Sequence, residues 1–296
     1  MFVISPFLCY NNKKGGGSVR KSVILACLLV SLWALLFICA CGADGEGNSV
    51  LPASVDVLKI GKADCIVINT GSKIVMIDTG EKENVTDIRE YMAEQGYNKV
   101  DTLILTHFDK DHIGGAADVI KEYNVDTVIE STFSSDSDEF HEYHLALSEA
   151  GKSAVRLNAD YTFQSDDCTF LVNVPRQKKY EEKKDNNSSL VVKMELGTTK
   201  LLFCGDAEEL RASEIIDTCA GKYDFVKLPY HGNYLENYGA FFNSIKMDSA
   251  TITDSKKNPA DTRTLDLLAE HSVSVYETRY GTVHIKTDGQ TTTITQ

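Results

Sequence analysis

The stretch THFDKDHIGG, residues 106–115, brings His107, Asp109, Asp111 and His112 together directly after the apolar run TLIL. Neutral imidazole nitrogens and ionised carboxylates are the usual donors to divalent cations. His107 and Asp109 alternate, so they lie on one side of an extended segment. Asp111 and His112 then project from the turn that follows. Gly114 and Gly115 allow close backbone approach where the next helix begins. Three further groups end apolar strands in the same manner: Asp78 in IDTG, Asp206 in CGDA and His231 in LPYHG. One aspartate at a strand end is an ordinary turn former. Four such endings in one chain describe a set of loops on a rigid scaffold, where functional groups concentrate. The chemistry this set supports is the binding of divalent metal.

The elements that must hold these groups are short. VDVLKI, CIVINT and KIVMID read as three successive strands, with Thr70–Ser72 as the turn between the last two. ENVTDIREYMAEQG reads as a helix ending at Gly96, TLILTH as a strand, and IGGAADVIKEYN as the start of a helix. TVIEST, TFLVNV, SLVVKMEL, TKLLFCGD, FVKLPYHG, SVSVYET and TVHIKTD are further strand segments. DEFHEYHLALSEAG, AEELRASEIID and TRTLDLLAEH are the intervening helices. Each half of the chain thus has strands and helices, which predicts an α/β fold of two sheets face to face with helices outside. His141 and His144 fall on an exposed helix surface, and His271 and His284 have no motif around them.

The chain has 296 residues and a formal net charge of −13. Lys13, Lys14, Arg20 and Lys21 precede the apolar run VILACLLVSLWALLFICACG, the pattern of a secretory leader. ICAC, Ile38–Cys41, resembles a lipobox with Cys41 as the lipid-modified residue, and an uncleaved signal anchor is the other reading. Both put the remainder outside the cytoplasm at a membrane. The division is a leader over 1–41, a Gly/Ser-rich flexible tether over 42–52, and one domain over 53–296. All 43 acidic residues lie beyond the leader. So acidic a body repels long nucleic acid unless positive charge gathers locally. Arg176, Lys178, Lys179, Lys183 and Lys184 make one such local stretch. Of Cys65, Cys168, Cys204 and Cys219 none forms a C-x-x-C pair, which argues against a zinc ribbon. Cys65 and Cys204 sit in apolar runs as core residues.

The order IDTG, THFDKDHIGG, GDA, HG resembles the metallo-β-lactamase superfamily over residues 53–296. Within it the chain looks most like the metallohydrolase domain of ComEC-type DNA-uptake proteins. LKIGKADC, NNSSLVV, YHGN and TRYGTVHIKTDG carry that likeness. The resemblance implies a four-layer αββα sandwich with two divalent metal ions, Zn or Mn, at its edge. One ion would take His107 and Asp109, the second Asp111, His112 and His231, and Asp206 would bridge them. Asp78 would orient ligands from behind. A water deprotonated between the ions would attack the substrate, with Asp111 also able to orient it. Asn187, or Asn186, falls where many relatives place a further histidine, and Asn187 is accordingly a catalytic candidate.

Asp109 and the asparagine each replace a histidine common in the superfamily. Oxygen in place of imidazole favours harder ions such as Mn²⁺ or Mg²⁺, and argues against a β-lactamase or glyoxalase. Three functions follow. The first is a membrane-tethered, metal-dependent phosphodiesterase or nuclease acting on nucleic acid or another phosphodiester. The second is a hydrolase of an ester, lactone or amide. The third is a degenerate binding module without catalysis. No protein partner is expected.

Overall fold

A computed structural model describes residues 50–181 and 184–296. The leader, its lipobox and most of the tether lie outside the described residues. Leu51, near the tether's end, already contacts the domain, its backbone N–H donating to Asp167 Oδ2 at 2.8 Å. No helix among the described residues is long and apolar enough to cross a membrane.

The first sheet contains β1 (Ala53–Val57), β2 (Ile66–Asn69), β3 (Ile74–Ile77), β4 (Thr102–Ile104), β5 (Thr127–Ser131) and β6 (Val155–Leu157), completed by β14 (Val283–Thr287) and β15 (Thr292–Thr295). Its order is β15-β14-β1-β2-β3-β4-β5-β6. The second sheet contains β7 (Tyr161–Ser165), β8 (Cys168–Asn173), β9 (Val191–Leu196), β10 (Thr199–Phe203), β11 (Gly221–Lys227), β12 (Ile245–Ile252) and β13 (Ser274–Glu277). Its order is β13-β12-β11-β10-β9-β8-β7. In each sheet an antiparallel part joins a parallel run, β3 to β6 in the first and β10 to β13 in the second.

Strand parity explains the layering. Ile66, Ile68, Val75 and Ile77 point between the sheets, where they meet Phe170, Val192, Met194, Leu201 and Phe225. Val67 and Met76, one residue out of step, point the other way. There they pack under α1 (Val85–Glu94), α3 (Ala116–Glu122) and α4 (Asp138–Glu149). The outer face of the second sheet is covered by α6 (Glu209–Thr218), α7 (Tyr238–Ser244) and α8 (Thr262–Glu270). Sheets covered on both faces need apolar residues at consecutive positions, which is why IVMI and TLIL are unbroken. The result is the expected αββα sandwich. The four cysteines Cys65, Cys168, Cys204 and Cys219 are free and buried.

Several boundaries differ from the sequence reading. β6, β7, β12, β15, α7 and the one-turn helix α5 (Lys184–Asn187) were not expected as elements. β12 carries Lys246 and Asp248 at exposed positions, which break its apolar run. Asp111 and His112 lie on a one-turn helix, α2 (Lys110–Ile113), not on an irregular turn. Asp109 starts it in an extended conformation, and its carbonyl accepts from His112 and Ile113 N–H at 2.9 and 3.0 Å.

The two glycines after α2 are required by contact. A Cβ on Gly114 would stand 2.5 Å from Lys82 N and 2.6 Å from Lys110 O, and one on Gly115 would stand 2.5 Å from Thr79 O. These are backbone atoms and cannot swing aside. Gly114→Ala and Gly115→Ala are each expected to destabilise the fold by roughly 1–3 kcal/mol, the range for overpacking. Urea unfolding measures this as a lower midpoint at unchanged slope. An unchanged midpoint would contradict the packing described.

Candidate metal centre

The site lies where the carboxyl ends of the parallel strands in both sheets meet. Asp78 follows β3, Thr106 and His107 follow β4, Asp206 follows β10, and His231 follows β11. Backbone strain concentrates there. Asp78, Tyr230 and His231 adopt φ of 57°, 52° and 53°, a left-handed region that costs of order 1–3 kcal/mol for such residues.

Asp78 is wholly buried and organises two imidazoles. Its Oδ1 accepts from Thr106 N–H at 2.8 Å. Its Oδ2 accepts from Thr106 Oγ1 at 2.6 Å and from His112 Nδ1 at 2.7 Å. With the Thr106 proton committed to Asp78, Thr106 Oγ1 accepts from His107 Nδ1 at 3.1 Å. Both histidines therefore carry the proton on Nδ1 and present Nε2 to the site. His231 reaches the same state by another route, its Nδ1 lying 2.9 Å from Thr253 O and 2.8 Å from Thr253 Oγ1. Such outer partners fix the tautomer and aim of metal-ligating histidines.

The presented atoms converge. His112 Nε2 is 3.3 Å from Asp206 Oδ1. His231 Nε2 is 3.1 Å from Asp206 Oδ2 and 3.3 Å from Asp111 Oδ2. Asp111, His112, Asp206 and His231 form one cluster with ligand atoms all within 4.8 Å of one another. His107 Nε2 faces Asp109 Oδ2 at 3.6 Å, beside it, and the His107 and His112 rings are 4.1 Å apart. Nε2 of His107, His112 and His231 and Oδ1 of Asp206 are buried without a hydrogen-bond partner. Buried polar atoms are rarely left so, and divalent cations would satisfy them. The residues present therefore fit a metal centre.

Charge supports the same reading. Burial opposes ionising Asp206, but the adjacent His231 and His112 outweigh it and hold the carboxyl well below the usual range. Burial likewise opposes charging His112, yet Asp206, Asp78 and Asp64 raise its imidazole well above 6.5. His231 is raised in the same way, chiefly by Asp206 against burial. Asp111 is lowered by His231 and His112 in spite of its burial.

Asn187 and Asn186 both bond to the segment that opens α6. Asn187 is buried, and its Oδ1 accepts from Arg211 N–H at 3.0 Å. Asn186 Nδ2 donates to Glu208 Oε1 at 2.6 Å. Ser189 Oγ accepts from Asp206 N–H at 3.2 Å. NNSS thus grips the loop that carries Asp206 and the start of α6. In the basic stretch, Arg176 is committed to Asp160 by bonds of 3.2 and 2.9 Å, and Lys179 pairs with Glu181 at 2.8 Å. Lys178 lines a cavity of about 270 Å³ with Phe133 and Arg176. Lys183 lies outside the described residues. His144 packs on Phe140 and Tyr143, away from the cluster's contacts.

Sequence reasoning missed Asp64, Thr106, Lys227 and Thr253. Lys227 is wholly buried and its ammonium contacts Asp64. Its signal was parity, since Phe225 and Lys227 share a strand face and Phe225 packs between the sheets.

The sequence pattern of the metallo-beta-lactamase superfamily matches residues 59–253. The chain is 28% identical over 294 residues to ComE operon protein 3 of Bacillus subtilis, covering 91% of this chain and 36% of that protein. It is 26% identical over 211 residues to Recombination protein 2 of Haemophilus influenzae, covering 69% and 24%. The chain thus spans about a third or less of these relatives' length. Among solved structures, the metallo-beta-lactamase fold protein YhfI from Bacillus subtilis superposes with a TM-score of 0.53 at 13% identity, covering 77% of this chain and 97% of that one.

The shifts set the pH dependence of the metal-free protein. His112 and His231 hold protons above 6.5 when folded, so their contribution is complete below 6.5 and is lost as pH rises through the raised values. Asp206 and Asp111 contribute above 3.8 and lose it as pH falls through their lowered values. In a chelator, Tm is expected to decline as pH rises from 6.5 toward the raised values, and a divalent ion, replacing the protons, should abolish the decline. A chelator-treated Tm that rises over that interval would count against the charge arrangement.

Proposed function

Because the chain belongs to the metallo-β-lactamase superfamily, whose members are generally metal-dependent hydrolases, we propose that it is a phosphodiesterase, with nucleic acid as the favoured substrate. The observation that carries the hydrolase reading is the cluster of Asp111, His112, Asp206 and His231 with its unpartnered Nε2 and Oδ1 atoms. The phosphodiester reading draws on the relatives, one of which is named a recombination protein.

In this reading Asp111, His112 and His231 would hold one divalent ion and His107 and Asp109 a second, with Asp206 available to both. Bound there, divalent ions supply Lewis acidity and acidify the attacking water. The oxygen-rich donor set favours Mn²⁺, with Zn²⁺ as the other candidate. Asp111, only partly buried, would accept a hydrogen bond from the attacking water and orient it. Asp78 touches no substrate and fixes His112 directly and His107 through Thr106. The same reading puts the domain outside the cytoplasm, held by a lipid at Cys41 or by an uncleaved anchor.

Metal content and turnover of the detergent-purified chain test this, with Mn²⁺ or Zn²⁺ supplied. About two ions per chain are expected, the number from two-metal hydrolases. Asp206→Ala should lower occupancy and cut DNA cleavage by about a hundredfold or more, the scale of losing a charge-stabilising group. Turnover of an ester or lactone with DNA untouched would overturn the phosphodiester assignment. Failure to bind either ion would leave a binding module in place of an enzyme.

A further inference from the structure

Lys227 is a buried cation at a site expected to hold cations, and its position is specific. Its Nζ donates to Gly205 O at 3.0 Å and contacts the buried Asp64 carboxylate. It stands 3.6 Å from Asp206 Oδ1, too far for a hydrogen bond. That oxygen is buried and without a hydrogen-bond partner. An ammonium has three donors and a flexible stem. A small movement would let it close on Asp206 and fill the acceptor that an ion needs. What holds it back is Asp64, with the Gly205 carbonyl.

Asp64 is itself firmly placed. Its N–H donates to Asp111 O at 3.0 Å, and its carbonyl accepts from Gly80 N–H at 2.8 Å. Its carboxylate lies 3.6 Å from His231 Nδ1 and 3.9 Å from His112 Nδ1, behind both rings and on the side away from their Nε2 atoms. It therefore faces the ammonium and not the presented ligand atoms.

Resting on the metal reading of this cluster, we propose that Asp64 is a positioning residue that keeps Lys227 off Asp206 and so leaves Asp206 open to a divalent ion. Asp64 need not touch the ion. Its removal frees the ammonium to pair with Asp206, where it competes with metal. Removal of the ammonium as well lifts that competition. The sign of the double variant separates this from a packing role, in which two lesions are at least as harmful as one.

Mn²⁺ titration calorimetry on the full chain in detergent tests it, with circular dichroism to check folding. Asp64→Asn is expected to weaken Mn²⁺ binding by about tenfold or more, the scale for groups that support metal ligands. Asp64→Asn with Lys227→Met should restore binding to within a few-fold of wild type. Lys227→Gln alone, which keeps a donor to Asp64 without the charge, should bind Mn²⁺ at least as tightly as wild type, and decides the matter if Asp64→Asn does not fold. Wild type that binds Mn²⁺ alongside an equally competent Asp64→Asn, a double variant weaker than Asp64→Asn, or a Lys227→Gln weaker than wild type would each overturn the inference and leave the metal centre standing. Wild type that binds no Mn²⁺ or Zn²⁺ would overturn the metal reading, and this inference with it.

Discussion

The carboxylate of Asp78 is the constraint on which the rest of the site depends. It accepts from Thr106 N–H, from Thr106 Oγ1 and from His112 Nδ1. Through Thr106 it also settles the proton of His107. One wholly buried group thereby determines which nitrogen two imidazoles turn toward the centre. The left-handed backbone at Asp78 lets the chain leave β3 and still aim this side chain across β4. Its unfavourable conformation is held by the surrounding bonds, among them Asp78 N–H to Ile104 O at 2.9 Å.

The second sheet supplies a matching half. Asp206 follows β10 and His231 follows β11, so the cluster is assembled from segments remote in sequence and tied across the seam of the sandwich. Asp64, ahead of β2, and Lys227, at the end of β11, make a further tie across that seam. Parallel strands in both sheets end at this edge, so the outgoing loops are gathered on one rigid rim.

Much of this was legible in the sequence because ligand chemistry is local. THFDKDHIGG shows its donors within one turn of chain, and Asp78, Asp206 and His231 are marked by the apolar strands they end. The layered architecture was legible for the same reason, since apolar runs such as IVMI and TLIL imply sheets covered on both sides. What could not be read depends on pairing between distant segments. Thr106 and Thr253 look like ordinary strand-end threonines until their hydroxyls meet His107 and His231. Lys227 reads as a surface lysine until parity places it beside Phe225. Asn187 was marked by its motif, but its bond to Arg211 N–H, from a distant helix, was not legible there. β12 escaped because its exposed charges interrupt the apolar run while the other face stays buried.

The cluster is graded from inside to outside. The side chains of His107, His112, His231 and Asp206 are at most 5% exposed, whereas Asp111 is 22% and Asp109 39% exposed. The mouth is thus lined by carboxylates, and the imidazoles lie behind them. A negatively charged molecule approaching the bare mouth meets repulsion first. Cations meet attraction, and once seated they reverse the sign of the mouth. In the proposed phosphodiesterase, loading would therefore be sequential, cation first and anion second, with the outer aspartates as a charge-selective gate.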